Sequence, residues 1–185
     1  MNPNIDKALL ASDNLVGFKK ADKDFTVGAA FGCIRWRNSN TNDQGDVPLN
    51  IVCWPETNSS GGFTVNVEYT LERTDMSLEN VIIQIPLGTD AAPKMKSCDG
   101  VYRHNPRAQC LEWRFDMITG ENATGTMEFD IKSPNEDCFF PIDVCFSSKD
   151  TYCKIFVENV LQAADGAPIK FVANNIVTTA PYIIS

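Results

Sequence analysis

The chain reads as an all-β protein built of antiparallel sheet with one wet face, and three observations carry that reading. The first is the stretch FTVNVEYTLE, Phe63 to Glu72. It places Phe63, Val65, Val67, Tyr69 and Leu71 on one face and Thr64, Asn66, Glu68, Thr70 and Glu72 on the other. Side chains of a strand repeat every two residues, so such alternation suits a half-buried strand. The second is recurrence: Val81/Ile83/Ile85, Leu111/Trp113/Phe115, Met127/Phe129/Ile131, Ile142/Val144/Phe146 and Cys153/Ile155/Val157 repeat the pattern. The third is a clear hairpin, in which Val101-Tyr102-Arg103 enters, Asn105-Pro106-Arg107 turns and Cys110 to Phe115 returns.

Taken in chain order, residues 1 to 24 are loop-like with one short helix around Asp6-Lys7-Ala8-Leu9-Leu10. Phe25 to Arg37 is strand material. The tract NSNTNDQGD, Asn38 to Asp46, has no apolar residue that could enter a core, so it reads as a connecting loop or boundary. Pro48 to Trp54 is the next strand, stopped by Pro55, and the long strand from Phe63 follows. Val81 to Ile85 is closed by Pro86. After the hairpin, Thr126 to Lys132 forms a strand, and Ser133 to Asp137 a loop. Phe139 to Phe146 is expected to pair with Tyr152 to Val160 across Ser147-Ser148-Lys149-Asp150. Asp165-Gly166 marks a turn before an edge strand at Ile169 to Val172, and Ile176 to Ile184 closes the chain.

Composition narrows the function classes. The 185 residues hold 43% hydrophobic and 22% charged side chains, ordinary values for a globular protein with a core. No apolar run approaches the ~20 residues that cross a bilayer, and the N-terminus shows no basic-then-apolar signal pattern. A formal charge of −8 speaks against nucleic acid, which needs a basic footprint. The seven cysteines, Cys33, Cys53, Cys98, Cys110, Cys138, Cys145 and Cys153, are odd in number and show no CxxC pair. They read as reduced thiols of a cytosolic module rather than metal ligands or disulfides. Asn58-Ser59-Ser60 and Asn122-Ala123-Thr124 match the glycosylation pattern by chance and serve as loop residues.

Catalytic chemistry is missing. GxSxG, HExxH and phosphate-binding Gly-Lys-Ser/Thr motifs are all absent. The single histidine, His104, reads as a solvated turn residue with no nucleophile to serve. Glu68, Glu72, Glu112, Glu128 and Asp130 fall on polar strand faces. The chain is therefore not expected to be an enzyme, and no cofactor or metal is implied. One local feature runs against the acidic background: Lys94, Lys96, Arg103 and Arg107 gather around the hairpin, with Asp99 the one acid in that span. Such a patch suits an acidic peptide or an anionic surface.

PLNIVCWP (48–55), VNVEYTLE (65–72), IIQIPLG (82–88), DGVYRHNPRAQCLEW (99–113) and FFPIDVCFSSKDTYCKIFVENV (139–160) together resemble the C-terminal μ-homology domain of the coatomer delta family. These are the medium-chain-like subunits of the COPI coat, distant relatives of clathrin-adaptor medium chains. The resemblance runs from about Asn4 to the C-terminus and implies a fragment of a longer protein, with the first strands of the domain upstream of Met1. It implies an elongated β-sandwich of two subdomains: an inserted one over 48–133, and a split one over 1–47 and 134–185.

The resemblance also implies a non-enzymatic role in retrograde Golgi-to-ER vesicle traffic, in the cytoplasm and peripherally on Golgi and COPI vesicle membranes. Expected partners are other coatomer subunits and the tryptophan-containing acidic segments of ER tethering factors and Arf GTPase-activating proteins. Adaptor medium chains bind tyrosine signals along a late edge strand reading Lys-Trp-Val-Arg. Here Ile169-Lys170-Phe171-Val172-Ala173 stands in that place, with Phe171 for the tryptophan and Ala173 for the arginine. Losing the guanidinium fork makes tyrosine-signal binding by that mode doubtful. Ile169, Lys170, Phe171 and Val172 are candidates for backbone pairing with a peptide, and the Lys94/Lys96/Arg103/Arg107 patch for its acids. The alternative is a purely structural coat element that touches other coat subunits or anionic membrane.

Overall fold

The alternations become strands wherever a second sheet stands ready to bury one face. The structure is a computed structural model that describes residues 1–20, 23, 25, 28–34, 47–151, 155–179 and 182–184. It divides into two compact units, residues 1–42 with 159–171, and residues 43–158 with 172–185.

The larger unit is all β. Its strands are β1 (Leu49–Thr57), β2 (Phe63–Leu71), β3 (Leu78–Pro86), β4 (Lys94–Cys98), β5 (Val101–Asn105), β6 (Cys110–Ile118), β7 (Thr124–Ile131), β8 (Ile142–Ser148), β9 (Val177–Thr178) and β10 (Tyr182–Ile184). One sheet has the order β1-β2-β7-β4. The other runs β10-β8-β3-β6-β5, with β9 also paired to β8. Every pairing is antiparallel. The expected inward sets meet in one core: Val65, Val67, Tyr69 and Leu71 from β2 pack with Ile83, Ile85, Leu111, Trp113, Met127, Phe129, Ile142 and Val144. At its centre Tyr69 meets Trp113 and Phe115 at centroid separations of 5.4 and 5.0 Å, both edge-on, the arrangement aromatic quadrupoles prefer.

The smaller unit carries α1 (Lys7–Asp13), where a short helix was expected. Asp6 caps it by accepting from the Ala8 and Leu9 amides, and Asn14 ends it in the left-handed region at φ 56°. Ile5 is buried, bridged to Phe18, and the rings of Phe18, Phe25 and Phe31 lie 4.7–6.0 Å apart. The turn at Asp165-Gly166 is present: Gly166 takes φ 71° and Asp165 accepts from the Ala167 amide.

Several expected elements differ. β1 does not stop at Pro55 but continues to Thr57. It is an edge strand whose described pairing is to β2 alone, so a residue without an N–H can sit there. β4 was not anticipated; its Lys-Met-Lys-Ser-Cys sequence has little apolar pattern, and it is a strand because β7 offers it an edge. Phe25 and residues 28–34 lie in no strand, and Gly28 takes φ 75°; Thr26, Val27, Arg35 to Arg37 and the tract 38–46 lie outside the described residues. The strand expected at Tyr152 to Val160 is not formed over 155–160, and Tyr152 to Lys154 lie outside the described residues. β8 is instead flanked by β3 on one side and by β9 and β10 on the other. Ile155, Phe156 and Val157 are all exposed, so the alternation there has no buried face to express. Within the closing stretch Ile176 to Ile184 the described residues form β9 and β10, and Ala180 and Pro181 lie outside the described residues.

Candidate functional site

The four residues proposed for backbone pairing, Ile169, Lys170, Phe171 and Val172, lie outside any strand. The Ile169 amide donates to the Val160 carbonyl at 2.8 Å, which closes the short loop bridged by Leu161 and Pro168. Ile169 and Phe171 are exposed, and Val172 is 89% exposed. The first three belong to the smaller unit and Val172 to the larger.

The basic residues are distributed over the edges of the larger unit's two sheets. Lys94 and Lys96 lie on β4, the edge of the four-stranded sheet, while Arg103 lies on β5, the edge of the other, and Arg107 in the turn that follows. Asp99 and Gly100 join these edges. Asp99 ties them down: its carbonyl accepts from the Trp113 indole and its carboxylate from the Thr126 amide at 2.8 Å. Gly100 takes φ 78°, and a Cβ there would run into the Phe115 ring.

Lys96 is held by acids that the local sequence does not show. Its ammonium sits 2.9 Å from both Glu128 and Asp130 of β7, the neighbouring strand. Hydrogen bonds to Asp130 and then Glu128 raise its pKa above the usual lysine value. Asp130 is held below the usual carboxylate range, first by the Thr64 hydroxyl and then by Lys96. Arg103 stands opposite Glu112 in register, and Glu112 also accepts from Arg114 at 2.6 Å. Lys94 and Arg107 are exposed and make no ion pair with a described residue, although Lys94 stands opposite Asp130 and its charge helps to lower that carboxyl's pKa.

His104 corrects its sequence reading. It is a half-buried residue of β5 on the inward parity with Tyr102, opposite Leu111, and its Nε2 is buried without a hydrogen-bond partner. The offset from the turn, not the turn itself, decides its environment. The described cysteines are all free thiols, and Cys153 lies outside the described residues. Burial pushes the Cys53 thiol up to about 12 and raises those of Cys33, Cys98 and Cys110. A group whose folded pKa is raised holds its proton longer when folded, so stability falls as pH climbs from about 9 toward 12. Urea midpoints measured at pH 8 and pH 10 should show that decline, and Cys53→Val should flatten it. An unchanged slope in the variant would mean that Cys53 is open to solvent. Thiol titration of the denatured protein should find nearly all seven groups.

The model of the adaptor complexes medium subunit family matches residues 2–184. The chain belongs to this family. Among relatives, the medium-subunit domain described here is 34% identical over 171 residues to a probable coatomer subunit delta of Caenorhabditis elegans, covering 92% of this chain and 33% of that protein. It is 36% identical over 178 residues to coatomer subunit delta of Arabidopsis thaliana, with coverage of 92% and 33%. It thus spans about a third of the length of these relatives. Among solved structures, the yeast delta-COP-I μ-homology domain superposes with a TM-score of 0.84 at 24% identity, over 99% of this chain and 74% of that one. The same yeast domain complexed with a Dsl1 WxWxV peptide gives 0.83 at 22% identity, over 99% and 75%. The fold of the medium-subunit domain is that of a μ-homology domain.

Proposed function

We propose that this medium-subunit domain is the μ-homology domain of a coatomer delta subunit and works, without catalysis, as a peptide-binding module of the COPI coat. The observation that carries this reading is the likeness to coatomer delta subunits along nearly the whole chain, at 34–36% identity. The yeast domain of the same fold that carries a Dsl1 WxWxV peptide supports peptide binding and favours tryptophan motifs as the ligand class. The finer assignments belong to the same proposal: retrograde Golgi-to-ER transport, a cytoplasmic station on Golgi and COPI membranes, and tethers and Arf GTPase-activating proteins as sources of the peptides. So does the division of the complete domain into a subdomain over 48–133 inserted in one over 1–47 and 134–185.

Two surfaces are proposed for the ligand. Ile169, Lys170, Phe171 and Val172 would offer main-chain groups to an extended peptide, and Lys94, Arg103 and Arg107 would meet its acids, with Lys96 already committed to Glu128 and Asp130. Aromatic anchors supply most of the energy in short contacts, because each buries a large rigid surface at small entropic cost. Acids mainly speed encounter and confer salt dependence. Calorimetry with an acidic peptide bearing two nearby aromatics, one of them Trp, should therefore show binding that a Trp→Ala peptide abolishes. Lys94→Glu with Arg103→Glu should weaken it and reduce its salt dependence. A tyrosine-signal peptide should bind weakly or not at all, because Phe171 and Ala173 replace the relatives' pattern. If the Trp→Ala peptide binds as well as its parent, the reading fails and a structural coat element, touching subunits or anionic membrane, replaces it.

A further inference from the structure

The outer face of the four-stranded sheet is divided in charge and in apolar exposure. On the β7–β4 side, Glu128 and Asp130 share the Lys96 ammonium, and Lys94 stands opposite Asp130. On the β1–β2 side, Glu56 and Glu68 are exposed and neither forms an ion pair with a described residue. Between these two acids stands Trp54, 46% exposed, with Val52 at 36% one pleat away on the same face. The register makes the grouping specific. Val52 lies directly opposite Glu68, Trp54 opposite Asn66, and Glu56 opposite Thr64. Glu68 is thus the diagonal cross-strand neighbour of Trp54, with Cβ atoms about 7–8 Å apart, and Glu56 follows Trp54 two residues on along the same face of β1, about 6.6 Å away at ~3.3 Å per residue.

An exposed tryptophan on a strand needs a reason, and this one is placed on the outward parity while Leu49 and Ile51 of the same strand fill the core. An indole face draws a cation through its quadrupole more strongly than any other side chain. Carboxylates on either side add Coulomb attraction and acceptors for a guanidinium. Val52 supplies an apolar contact for a neighbouring residue. We infer that this face is a docking site for an extended basic segment of a partner protein, with an arginine or lysine seated over Trp54 between Glu56 and Glu68. Strand addition is not the mode, because Pro55 removes one donor from β1. The recognition is through side chains across the face. This site takes charge of the opposite sign from the ligand under Proposed function and does not rest on it.

The probe is the capped peptide Gly-Arg-Val-Arg-Val-Arg-Gly, added to the 15N-labelled protein at low salt. Its effect is read at the Trp54 indole N–H, assigned by its loss in Trp54→Phe. The expected result is a saturable shift of that resonance and of the amides of Glu56 and Glu68, weakening as salt rises. Trp54→Ala should reduce the affinity about tenfold, within the range of one cation–π contact. Glu56→Gln with Glu68→Gln should weaken it and reduce the salt dependence. Both positions are exposed, so unchanged spectra elsewhere will show an intact fold. The inference is overturned if the peptide leaves the indole unmoved, if Trp54→Ala binds equally well, or if the same peptide with Glu for Arg gives the same shifts. It is also overturned if dilution alone moves the indole resonance, since a second copy of the chain would then be the occupant.

Discussion

Replacing Trp113 by alanine should cost about 3–5 kcal/mol of stability, the range for deleting a fully buried aromatic. Trp113 has no exposed surface, and its ring meets Tyr69 from the opposite sheet and Phe115 on its own strand. Its indole N–H is donated to the Asp99 carbonyl in the link between β4 and β5. Alanine would therefore open a cavity, remove two ring contacts and leave a carbonyl without its donor. Urea midpoints at fixed protein concentration measure the effect. A midpoint within a few tenths of a molar of the parent would mean that β6 is paired in another register, with Trp113 facing solvent.

The parts of the fold legible in the sequence are those where one residue in two must be apolar. β2, β3, β6, β7 and β8 each bury alternate residues against a second sheet, so their patterns survive in the chain as written. β4 was illegible for the opposite reason. Its lysines face water, only Met95 and Cys98 are half-buried, and a register shift between Met95 and Ser97 breaks the period. The alternation at Ile155 and Val157 misled because hydrophobic period describes a readiness to pair, and among the described residues no strand takes it up.

The candidate sites divide along the same line. Strand parity alone puts Trp54 on the face opposite Leu49 and Ile51, so the exposed indole could be read from PLNIVCW once that strand was assigned. The partners of Lys96 could not. Glu128 and Asp130 lie more than thirty positions away, and only the pairing of β4 with β7 brings them beside it. A patch defined by neighbours in sequence thus overstated its free charge. His104 is the converse case. The nearby turn implied solvent, yet its place on β5 sends the imidazole inward beside Leu111. In both cases cross-strand register supplies the information that local composition lacks.

The same register leaves no room for a side chain at Gly125. It stands directly opposite Tyr69 in the β2–β7 pair, and a Cβ added there would lie inside the van der Waals reach of the Tyr69 ring. That ring cannot swing away. Its hydroxyl donates to the Asn122 carbonyl at 3.0 Å, and its edges are packed against Trp113 and Phe115. Gly125 is not among the positive-φ residues, so the backbone itself would accept alanine. Gly125→Ala is then a steric overpacking and should cost about 1–3 kcal/mol. Tyr69→Leu alone should cost on the order of 2–4 kcal/mol, from lost ring area and the unpaired carbonyl. In the Tyr69→Leu background the glycine position is no longer covered by a ring, and Gly125→Ala should become close to neutral. The two changes should therefore be coupled by about 1 kcal/mol or more in a double-mutant cycle. Equal penalties for Gly125→Ala in both backgrounds would show that the ring does not lie over Gly125, and that the aromatic centre of this core is packed differently.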